Sequence, residues 1–224
     1  MAAGEGRRLR PLTERWPKPI LPIDGRAVIA TVLRQLREAG CLRVTVVTGH
    51  LADEVESLLG DGAGFGVQLR FARQPEAHGS ADAVARGLAA GAEPPLLVST
   101  ADTVFAPGDV AKVAAEFDRS GTPGAVAVRR SPPGAGVEID DGRVRRIVGV
   151  APQPLAHASL WCLTLELARY LDGLCGPPYE LAEAYQRAID DGVEVSAIEV
   201  GRTRDLTDPL DLVKENFPYL ATDE

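Results

Sequence analysis

The chain has 224 residues, and its 24 lysines and arginines against 32 aspartates and glutamates give a formal net charge of -8 at neutral pH. With 45% hydrophobic and 25% charged residues, its composition is typical of a globular protein and excludes disordered, fibrous and membrane-spanning classes. An acidic chain is repelled by phosphate backbones, which also excludes a non-specific nucleic-acid surface. The apolar runs are too short to cross a bilayer and nothing near Met1 resembles a signal peptide, so we expect a cytoplasmic protein.

Helical and strand patterns alternate along the first half of the chain, which is typical of an α/β fold with a largely parallel sheet. Apolar residues recur at helical spacing ahead of Gly40, which predicts a helix over 27–39. The other elements predicted in this half are strands at 42–48, 67–71 and 96–100, and helices at 51–59, 80–90 and about 107–119.

The second half contains shorter strands separated by Gly and Pro pairs, which favours antiparallel ribbons added to the parallel sheet. The elements predicted here are strands at 125–129, 136–139, 144–148, 158–163 and 193–200, and helices at 165–171 and 180–191. A last helix is predicted to begin at Asp208-Pro209, because Asp is a good N-cap and Pro suits the first helical position. The three cysteines, Cys41, Cys162 and Cys175, lack the spacing of a zinc site or a disulfide framework, so we expect buried thiols.

The densest chemical signal is at the start of the chain. There, Ala-Ala-Gly-Glu-Gly-Arg-Arg-Leu at 2–9 is followed by Pro-Leu-Thr at 11–13 and Pro-Lys-Pro at 17–19. Gly4 and Gly6 let the backbone approach a ligand closely, and successive free N–H groups in such a loop bind anions. Arg8 can donate two N–H groups to phosphate oxygens and Lys18 adds a compact charge, so the pair suits a polyphosphate. A solvated Gly-rich turn is the alternative, and the Pro-Lys dipeptide ten residues after Arg8 counts against it.

This opening resembles that of the nucleotidyltransferases that couple a nucleoside triphosphate to a sugar 1-phosphate. Their signature is an apolar strand, then Ala-Ala-Gly-x-Gly-x-Arg-Leu, Pro-Leu-Thr and Pro-Lys, and residues 2–18 match it with Arg7 in place of the usual Thr. The resemblance implies a Rossmann-like open sheet, mixed but mostly parallel and flanked by helices. It also implies that Arg8 and Lys18 are catalytic and hold the triphosphate, while Ala3, Gly4 and Gly6 face the nucleotide.

The family places an apolar strand directly before this motif. In this sequence Met1 stands immediately ahead of Ala2. We therefore expect a sheet whose first strand is missing, either because the start is displaced or because the strand is lost. Such a gap would leave neighbouring strands unpaired and apolar surface exposed.

The predicted strand at 96–100 is followed by a carboxylate, Asp102, at the edge of the sheet where open α/β folds bind ligands. A turn or capping aspartate would have the same pattern. In the family this position binds Mg²⁺, and the segment before the last helix supplies a second acidic ligand that aligns with Asp205. The resemblance thus implies Mg²⁺ at Asp102 and Asp205, and two carboxylates suit an ion that completes its shell with water and substrate phosphates.

Gln74 stands five residues ahead of Gly79, which opens a predicted helix. This spacing is seen in family members that bind uracil or thymine. The amide offers a donor and an acceptor to a base edge, and Gly79 permits backbone contact. Capping of the strand at 67–71 is an equally compatible role for Gln74. His78 is interpreted as a loop residue, because the sequence identifies no carboxylate partner for it.

The acceptor part of the family pattern is matched only loosely. Its Glu-Lys-Pro motif should fall at 148–152, where the chain has Val-Gly-Val-Ala-Pro. Glu138 and Glu180 are candidate acceptor contacts, and each is equally compatible with a surface charge. We expect one domain over 1–224, in which 1–120 binds the nucleotide and 121–224 binds the acceptor and supplies the second metal ligand.

The resemblance implies a Mg²⁺-dependent enzyme that joins a nucleoside triphosphate, with a pyrimidine favoured, to a sugar 1-phosphate and releases pyrophosphate. Two alternatives stay open. One is a nucleotidyltransferase with a non-sugar acceptor such as phosphocholine, a polyol phosphate or molybdopterin, and the other is a non-catalytic regulatory protein that binds nucleotide sugars. The expected partners are the triphosphate and a phosphorylated small molecule, without nucleic acid or membrane, and the sequence allows a homo-oligomer.

Overall fold

The computed structural model describes residues 1–131, 134–151, 154–217 and 219. The helices are α1 Leu12–Arg15, α2 Val28–Glu38, α3 Ala52–Leu59, α4 Ser80–Ala89, α5 Asp109–Ser120, α6 Leu165–Ala168, α7 Leu181–Asp190 and α8 Pro209–Asn216. The strands are β1 Pro22–Ile23, β2 Arg26–Ala27, β3 Arg43–Thr48, β4 Gln68–Arg73, β5 Leu96–Ser99, β6 Thr103–Val104, β7 Gly124–Arg130, β8 Gly134–Asp140, β9 Arg143–Ala151, β10 Leu155–Leu163, β11 Val195–Glu199 and β12 Arg204–Asp205. None of the helices described is long and apolar enough to cross a bilayer.

Six strands form one sheet in the order β5-β10-β7-β11-β9-β8, and β3-β4, β1-β2 and β6-β12 form three pairs. β7 and β11 run parallel, as do β3 and β4, whereas β10 runs antiparallel to both β5 and β7. β8 and β9 form an antiparallel hairpin at the edge of the sheet. The predicted α/β fold, with antiparallel ribbons in the second half, is confirmed.

The first residues of the chain link the β3-β4 pair to the six-stranded sheet. The Ala2 N–H donates to the Val47 carbonyl oxygen at 2.7 Å, and Ala2 pairs with Thr48 in parallel. On the other side, the Met1 amino group donates to the Ser99 carbonyl oxygen at 2.7 Å. None of the described residues forms a strand between β3 and β5.

Helices cover both faces of the sheet, and the alternation of side chains along β7 separates two cores. Ala125 and Ala127 face a cluster that includes α2 and α5, while Val126 and Val128 face one built with α4, α6 and α7. On that second side the Tyr185 hydroxyl, fully buried, donates to the carbonyl oxygen of Cys162 at 2.6 Å. A third cluster joins α2 and α3 to β3. Each buried Val or Leu in these clusters contributes about 1.5–3 kcal/mol.

The predicted last helix is confirmed with its cap. The Asp208 carboxylate accepts the N–H of Leu210 at 2.9 Å, and the Asp211 carboxylate accepts the N–H of Asp208 at 2.9 Å. Helix α5 begins later than predicted, at Asp109, because Gly108 adopts a left-handed conformation with φ 85° immediately before it.

Two other expectations need correction or fall outside the described residues. The prediction of three buried thiols is wrong for Cys175, which is exposed, and Cys41 is only partly buried. The proline of the sought Glu-Lys-Pro motif, Pro152, lies outside the residues that the structure describes. The short pairs β1-β2 and β6-β12 were not predicted, because two-residue strands have no readable alternation.

Candidate active site

A cleft of about 440 Å³ opens where β4 and β5 end, beside the first residues of the chain. Segments that are far apart in sequence converge on it, as expected at the carboxyl ends of strands in an open α/β sheet. The predicted site residues that line it are Ala3, Gly4, Gly6, Arg8, Lys18, Gln74, Gly79, Asp102 and Glu180. Two predicted residues, Asp205 and Glu138, lie within the described part of the chain but outside this lining.

The two glycines of the opening loop have different surroundings. Gly6 has a left-handed φ of 62°, and a Cβ there would lie 2.8 Å from Cγ2 of Thr13. The buried Thr13 hydroxyl holds this turn by donating to the Gly6 carbonyl oxygen at 2.9 Å. A Cβ at Gly4 would have no heavy atom within 4 Å. Gly6 is therefore required by the fold, whereas Gly4 keeps space in the cleft free for a ligand.

Ion pairs distinguish the arginines of the opening loop. Arg7 donates to both carboxylate oxygens of Glu5, at 2.8 and 3.0 Å, and this hydrogen bonding lowers the pKa of Glu5. Arg10 also approaches Glu5, at 3.4 Å. Arg8 lines the cleft, and no salt bridge involves it within the described ranges. Of these three arginines, Arg8 is the one available to a bound anion.

Lys18 and Asp102 form a salt bridge on the wall of the cleft. The Lys18 side chain is 15% exposed and the Asp102 side chain 31%. Burial alone would raise the pKa of Asp102, but the charge and hydrogen bond of Lys18, with help from Thr103, hold it below its usual value. The Thr103 hydroxyl donates to the other carboxylate oxygen at 3.3 Å. Asp102 is therefore an ionised carboxylate facing the cleft at neutral pH.

The ribbon β6-β12 brings the second acidic residue close to the first. Asp205 is the cross-strand partner of Thr103, the residue that follows Asp102. Directly paired residues have Cβ atoms about 5 Å apart, so Asp205 is a near neighbour of the Asp102 backbone. The Thr203 hydroxyl orients the Asp205 carboxylate through a 3.2 Å hydrogen bond. Within the described residues no group of three or more His, Cys, Asp or Glu side chains is placed to hold a metal ion.

Gln74 is buried at the end of β4, and its amide orientation is determined by its partners. Nε2 donates to the Gly79 carbonyl oxygen at 2.9 Å and to the Asp82 carboxylate at 2.7 Å. Arg86 contacts the same carboxylate at 2.7 Å, and these hydrogen bonds outweigh the effect of burial, so the pKa of Asp82 is lowered. Because both partners of Nε2 only accept, the amide cannot be flipped, and Oε1 is the atom left for a ligand.

Gly79 joins the two halves of the chain at the cleft. A side chain there would collide with the backbone of Tyr179, and the Tyr179 N–H donates to the His78 carbonyl oxygen at 2.7 Å. Beside it, the Ser80 hydroxyl donates to the Glu180 carboxylate at 2.6 Å. We call the end of the cleft at Gly4 and Gln74, which are predicted to bind the nucleotide, the nucleotide end, and the end at Glu180, a predicted acceptor contact, the acceptor end.

The sequence prediction missed some residues that support the site. A Cβ at Gly49 would lie 2.7 Å from the carbonyl oxygens of both Ala3 and Gln74, so only glycine allows these segments to meet. The one available signal was a glycine directly after a predicted strand. The expectation that His78 lacks a carboxylate partner is wrong, since the Glu76 carboxylate lies 2.8 Å from its Nε2.

Comparison with known proteins gives consistent matches. A family model described as nucleotidyl transferase matches residues 1–148. A low-salt glycan biosynthesis nucleotidyltransferase of Haloferax volcanii is 27% identical over 96% of this chain and 64% of its own length. A glucose-1-phosphate thymidylyltransferase of Streptomyces antibioticus is 26% identical over 98% of this chain and 65% of its own length. The chain therefore spans less than two thirds of these curated relatives.

A solved structure of a UDP-glucose pyrophosphorylase complexed with UDP-glucose superposes with a TM-score of 0.83 at 20% identity, covering 97% of this chain and 96% of that one. At this identity the likeness establishes the fold and carries no further information on substrate.

Proposed function

Because this chain belongs to the nucleotidyl transferase family, we propose that it transfers a nucleotidyl group from a nucleoside triphosphate to a sugar 1-phosphate and releases pyrophosphate. The observation that carries the proposal is the convergence of Gly4, Arg8, Lys18 and Asp102 on one cleft. A triphosphate can bind to the Arg8 guanidinium, to the Lys18 ammonium and to the backbone of the loop at Gly4, where there is space for a ligand. The ionised Asp102 carboxylate suits a divalent cation.

In this reaction an oxygen of the sugar phosphate attacks the α-phosphorus of the triphosphate. A new P–O bond forms while the bond between the α-phosphorus and the bridging oxygen to the β-phosphate breaks, and pyrophosphate leaves with that electron pair. No protein nucleophile is needed. Arg8 binds phosphate oxygens, Lys18 offsets the negative charge that builds on the leaving group, and the loop backbone at Gly4 orients the triphosphate.

Asp102 and Asp205 would hold Mg²⁺. Asp102 lies directly ahead of β6 and Asp205 lies in the paired strand β12, and two such oxygen donors fit a hard cation that takes one or two carboxylates and completes its shell with waters and phosphates. When bound, such an ion neutralises phosphate charge and orients the oxygens. The Lys18–Asp102 contact then has a second use, because it keeps the carboxylate ionised and ready to bind a cation.

We further propose that the base is a uracil or thymine. Oε1 of Gln74 can only accept, so it favours a base edge that presents an N–H. Guanine also meets this requirement at N1, and the thymidylyltransferase relative of Streptomyces antibioticus favours a pyrimidine. The ring N3 of uracil and thymine carries such a proton, whereas N3 of cytosine is an acceptor and would face Oε1 without a hydrogen bond. An unpaired polar group at such a contact costs about 1–3 kcal/mol.

The acceptor is proposed to bind at Glu180, whose carboxylate can accept sugar hydroxyl groups next to Ser80. Because residues 121–224 match the acceptor part of the family pattern only loosely, a non-sugar phosphate acceptor is the alternative. A sugar 1-phosphate is favoured because the Glu180 carboxylate can accept from sugar hydroxyl groups and because the relative from Streptomyces antibioticus is a glucose-1-phosphate thymidylyltransferase.

The test is pyrophosphate release measured with Mg²⁺, each of UTP, dTTP, CTP, ATP and GTP, and a panel of sugar 1-phosphates together with phosphocholine and a polyol phosphate. We expect release with UTP or dTTP and one class of sugar 1-phosphate, abolished when Mg²⁺ is chelated. Release only with phosphocholine or the polyol phosphate would overturn the sugar assignment. Nucleotide binding without release for any acceptor would favour a regulatory protein over an enzyme.

A further inference from the structure

Two neighbouring polar side chains on the six-stranded sheet have a buried nitrogen without a hydrogen-bond partner. The atoms are Nε of Arg129 on β7 and Nδ1 of His157 on β10. Among the described residues no other buried side-chain nitrogen or oxygen lacks a partner. Buried polar groups in folded proteins are almost always paired, so two such atoms on adjacent strands require an explanation.

Both residues lie where the sheet extends past the end of β5, beside the active-site cleft. β10 pairs with β5 through its last four residues, and the Thr100 N–H donates to the Ser159 carbonyl oxygen at 3.2 Å. The part of β10 that precedes Ser159 therefore continues beyond β5, at the edge where the cleft opens. His157 lies in this part, and Arg129 is the cross-strand partner of the adjacent Ala156.

A bulge in β10 gives this region its shape. The register between β7 and β10 shifts between His157 and Trp161, and within the shift Ser159 has a left-handed φ of 59°. Bulges of this kind redirect side chains and are common beside active sites. The Trp161 ring lies 5.1 Å from the His157 ring and supports it. Ala156 is small, so the long side chain of Arg129 has room to cross β10 toward the cleft.

The charges that act on His157 group the pair with the acceptor end of the cleft. Burial and then the charge of Arg129 lower the pKa of His157, while the charge of Glu180 raises it. Neither Lys18 nor Asp102 contributes to this shift, and neither Arg129 nor His157 contributes to the pKa shift of Asp102. At neutral pH the imidazole is therefore uncharged and donates one N–H, and Arg129 keeps its positive charge.

This position indicates which anionic group of an acceptor the pair suits. In the proposed reaction the acceptor phosphate meets the triphosphate near Lys18 and Asp102. Arg129 and His157 are grouped instead with Glu180, the proposed contact of the sugar hydroxyls. A cation beside the hydroxyl contacts matches an anionic group on the sugar itself, and the planar guanidinium fits a carboxylate through two parallel N–H groups.

We propose that Arg129 and His157 bind a carboxylate of the acceptor, which makes the substrate an acidic sugar 1-phosphate such as a uronic acid 1-phosphate. This inference rests on the proposed function and narrows its acceptor. Arg129 donates two N–H groups to the carboxylate, His157 donates one, and the sugar hydroxyls are left for Glu180. A neutral sugar leaves Nε of Arg129 unpaired, and this penalty discriminates against it.

The test compares acceptors that differ only in a carboxylate. Glucuronic and galacturonic acid 1-phosphates are assayed by pyrophosphate release against glucose and galactose 1-phosphates, with the nucleoside triphosphate that supports release. We expect kcat/KM to favour the acidic member by roughly ten- to a hundredfold, the value of hydrogen bonds to a charged group. Arg129→Gln should abolish this preference, His157→Gln should reduce it severalfold, and KM for the triphosphate should stay unchanged.

A neighbouring arginine and the thermal midpoint provide the controls. Arg130→Gln should keep the preference, because Arg130 is the next residue of β7, is exposed and lies 3.7 Å from Glu199. Arg129→Gln should leave the thermal midpoint unchanged or raise it, because it removes a partly buried charge that has no partner. A lower midpoint would mean that Arg129 stabilises the fold, and would overturn its assignment to binding. Arg129→Lys, which keeps the charge and loses the planar fork, should retain part of the preference.

Two kinetic results would overturn the inference and leave the proposed function intact. One is a wild-type preference for the neutral sugars. The other is an equal loss with acidic and neutral sugars in Arg129→Gln, because the pair would then hold the phosphate. If none of the four sugars gives release, calorimetric titration of glucuronic acid 1-phosphate against glucose 1-phosphate replaces the assay. Tighter binding of the acidic sugar, lost in Arg129→Gln, would support the carboxylate site, and equal binding would overturn it.

Discussion

The two ends of the active-site cleft are built differently. At the nucleotide end, turns bring backbone close to the ligand space, and Gly6 and Gly79 occupy positions where a side chain would collide with neighbouring residues. At the acceptor end, a side chain at the start of a helix, Glu180, faces the cleft, while Glu138 on β8 does not line it. The residues that a turn needs are adjacent in the sequence, whereas the side chains of an acceptor pocket come from distant elements. A site built from a turn can therefore be recognised by a local sequence motif, and a site built from distant side chains cannot.

The largest expected effect lies at the nucleotide end, at Lys18. Lys18→Gln removes the charge and keeps a donor for Asp102, so turnover should fall on the order of 10² to 10³ with folding preserved. Lys112→Gln is the matched control, because Lys112 donates to the Glu199 carbonyl oxygen outside the cleft. Single-turnover pyrophosphate release measures the chemical step, and thermal unfolding checks the fold. Near-normal turnover in the Lys18 variant would show that the charge of Lys18 has no part in the proposed mechanism.

The next prediction separates structure from ligand binding within one loop. Gly6→Ala should lower the free energy of unfolding by about 1–3 kcal/mol, because alanine is strained at φ 62° and its Cβ meets Thr13. Gly4→Ala should leave the free energy of unfolding unchanged and raise KM for the triphosphate, since its Cβ enters open space in the cleft. Urea denaturation and steady-state kinetics on the pair provide the measurement. Equal stability of the two variants would contradict the distinct roles assigned to these glycines.

A smaller effect is expected on the selection of the base, because it depends on one hydrogen bond. Gln74→Met removes Oε1, so the preference for UTP or dTTP over CTP should shrink by about fivefold, the value of one hydrogen bond of roughly 1 kcal/mol. Gln68→Met is the control, since Gln68 is an exposed residue at the start of β4, the strand that Gln74 follows. The ratio of kcat/KM values for the two bases measures the change. An unchanged ratio would mean that Gln74 serves only to hold Gly79 and Asp82.

The accuracy of the sequence predictions also differs between features encoded by local patterns and features formed by distant segments. Helix α2 and strand β3 were predicted within two residues, because apolar periodicity over a full element is a strong signal. Arg8 and Lys18 were found through a contiguous motif. Gly49, in contrast, is required by contacts with Ala3 and Gln74 that exist only after folding. Local patterns therefore identified the nucleotide end, while packing between distant segments could not be predicted from them.

The smallest expected effect tests the acceptor end. Glu180→Gln keeps an acceptor for the Ser80 hydroxyl but removes the charge that strengthens hydrogen bonds from a sugar, so KM for the acceptor should rise severalfold, or about 1 kcal/mol, with KM for the triphosphate unchanged. Glu138→Gln is the matched control and should change neither constant, because Glu138 lies outside the cleft lining. The opposite result, with the larger effect at Glu138, would mean that the hairpin β8-β9 moves onto the acceptor when it binds. The acceptor end would then be assembled by the ligand, whereas the Gly6 turn of the nucleotide end is held by the Thr13 hydroxyl within the fold.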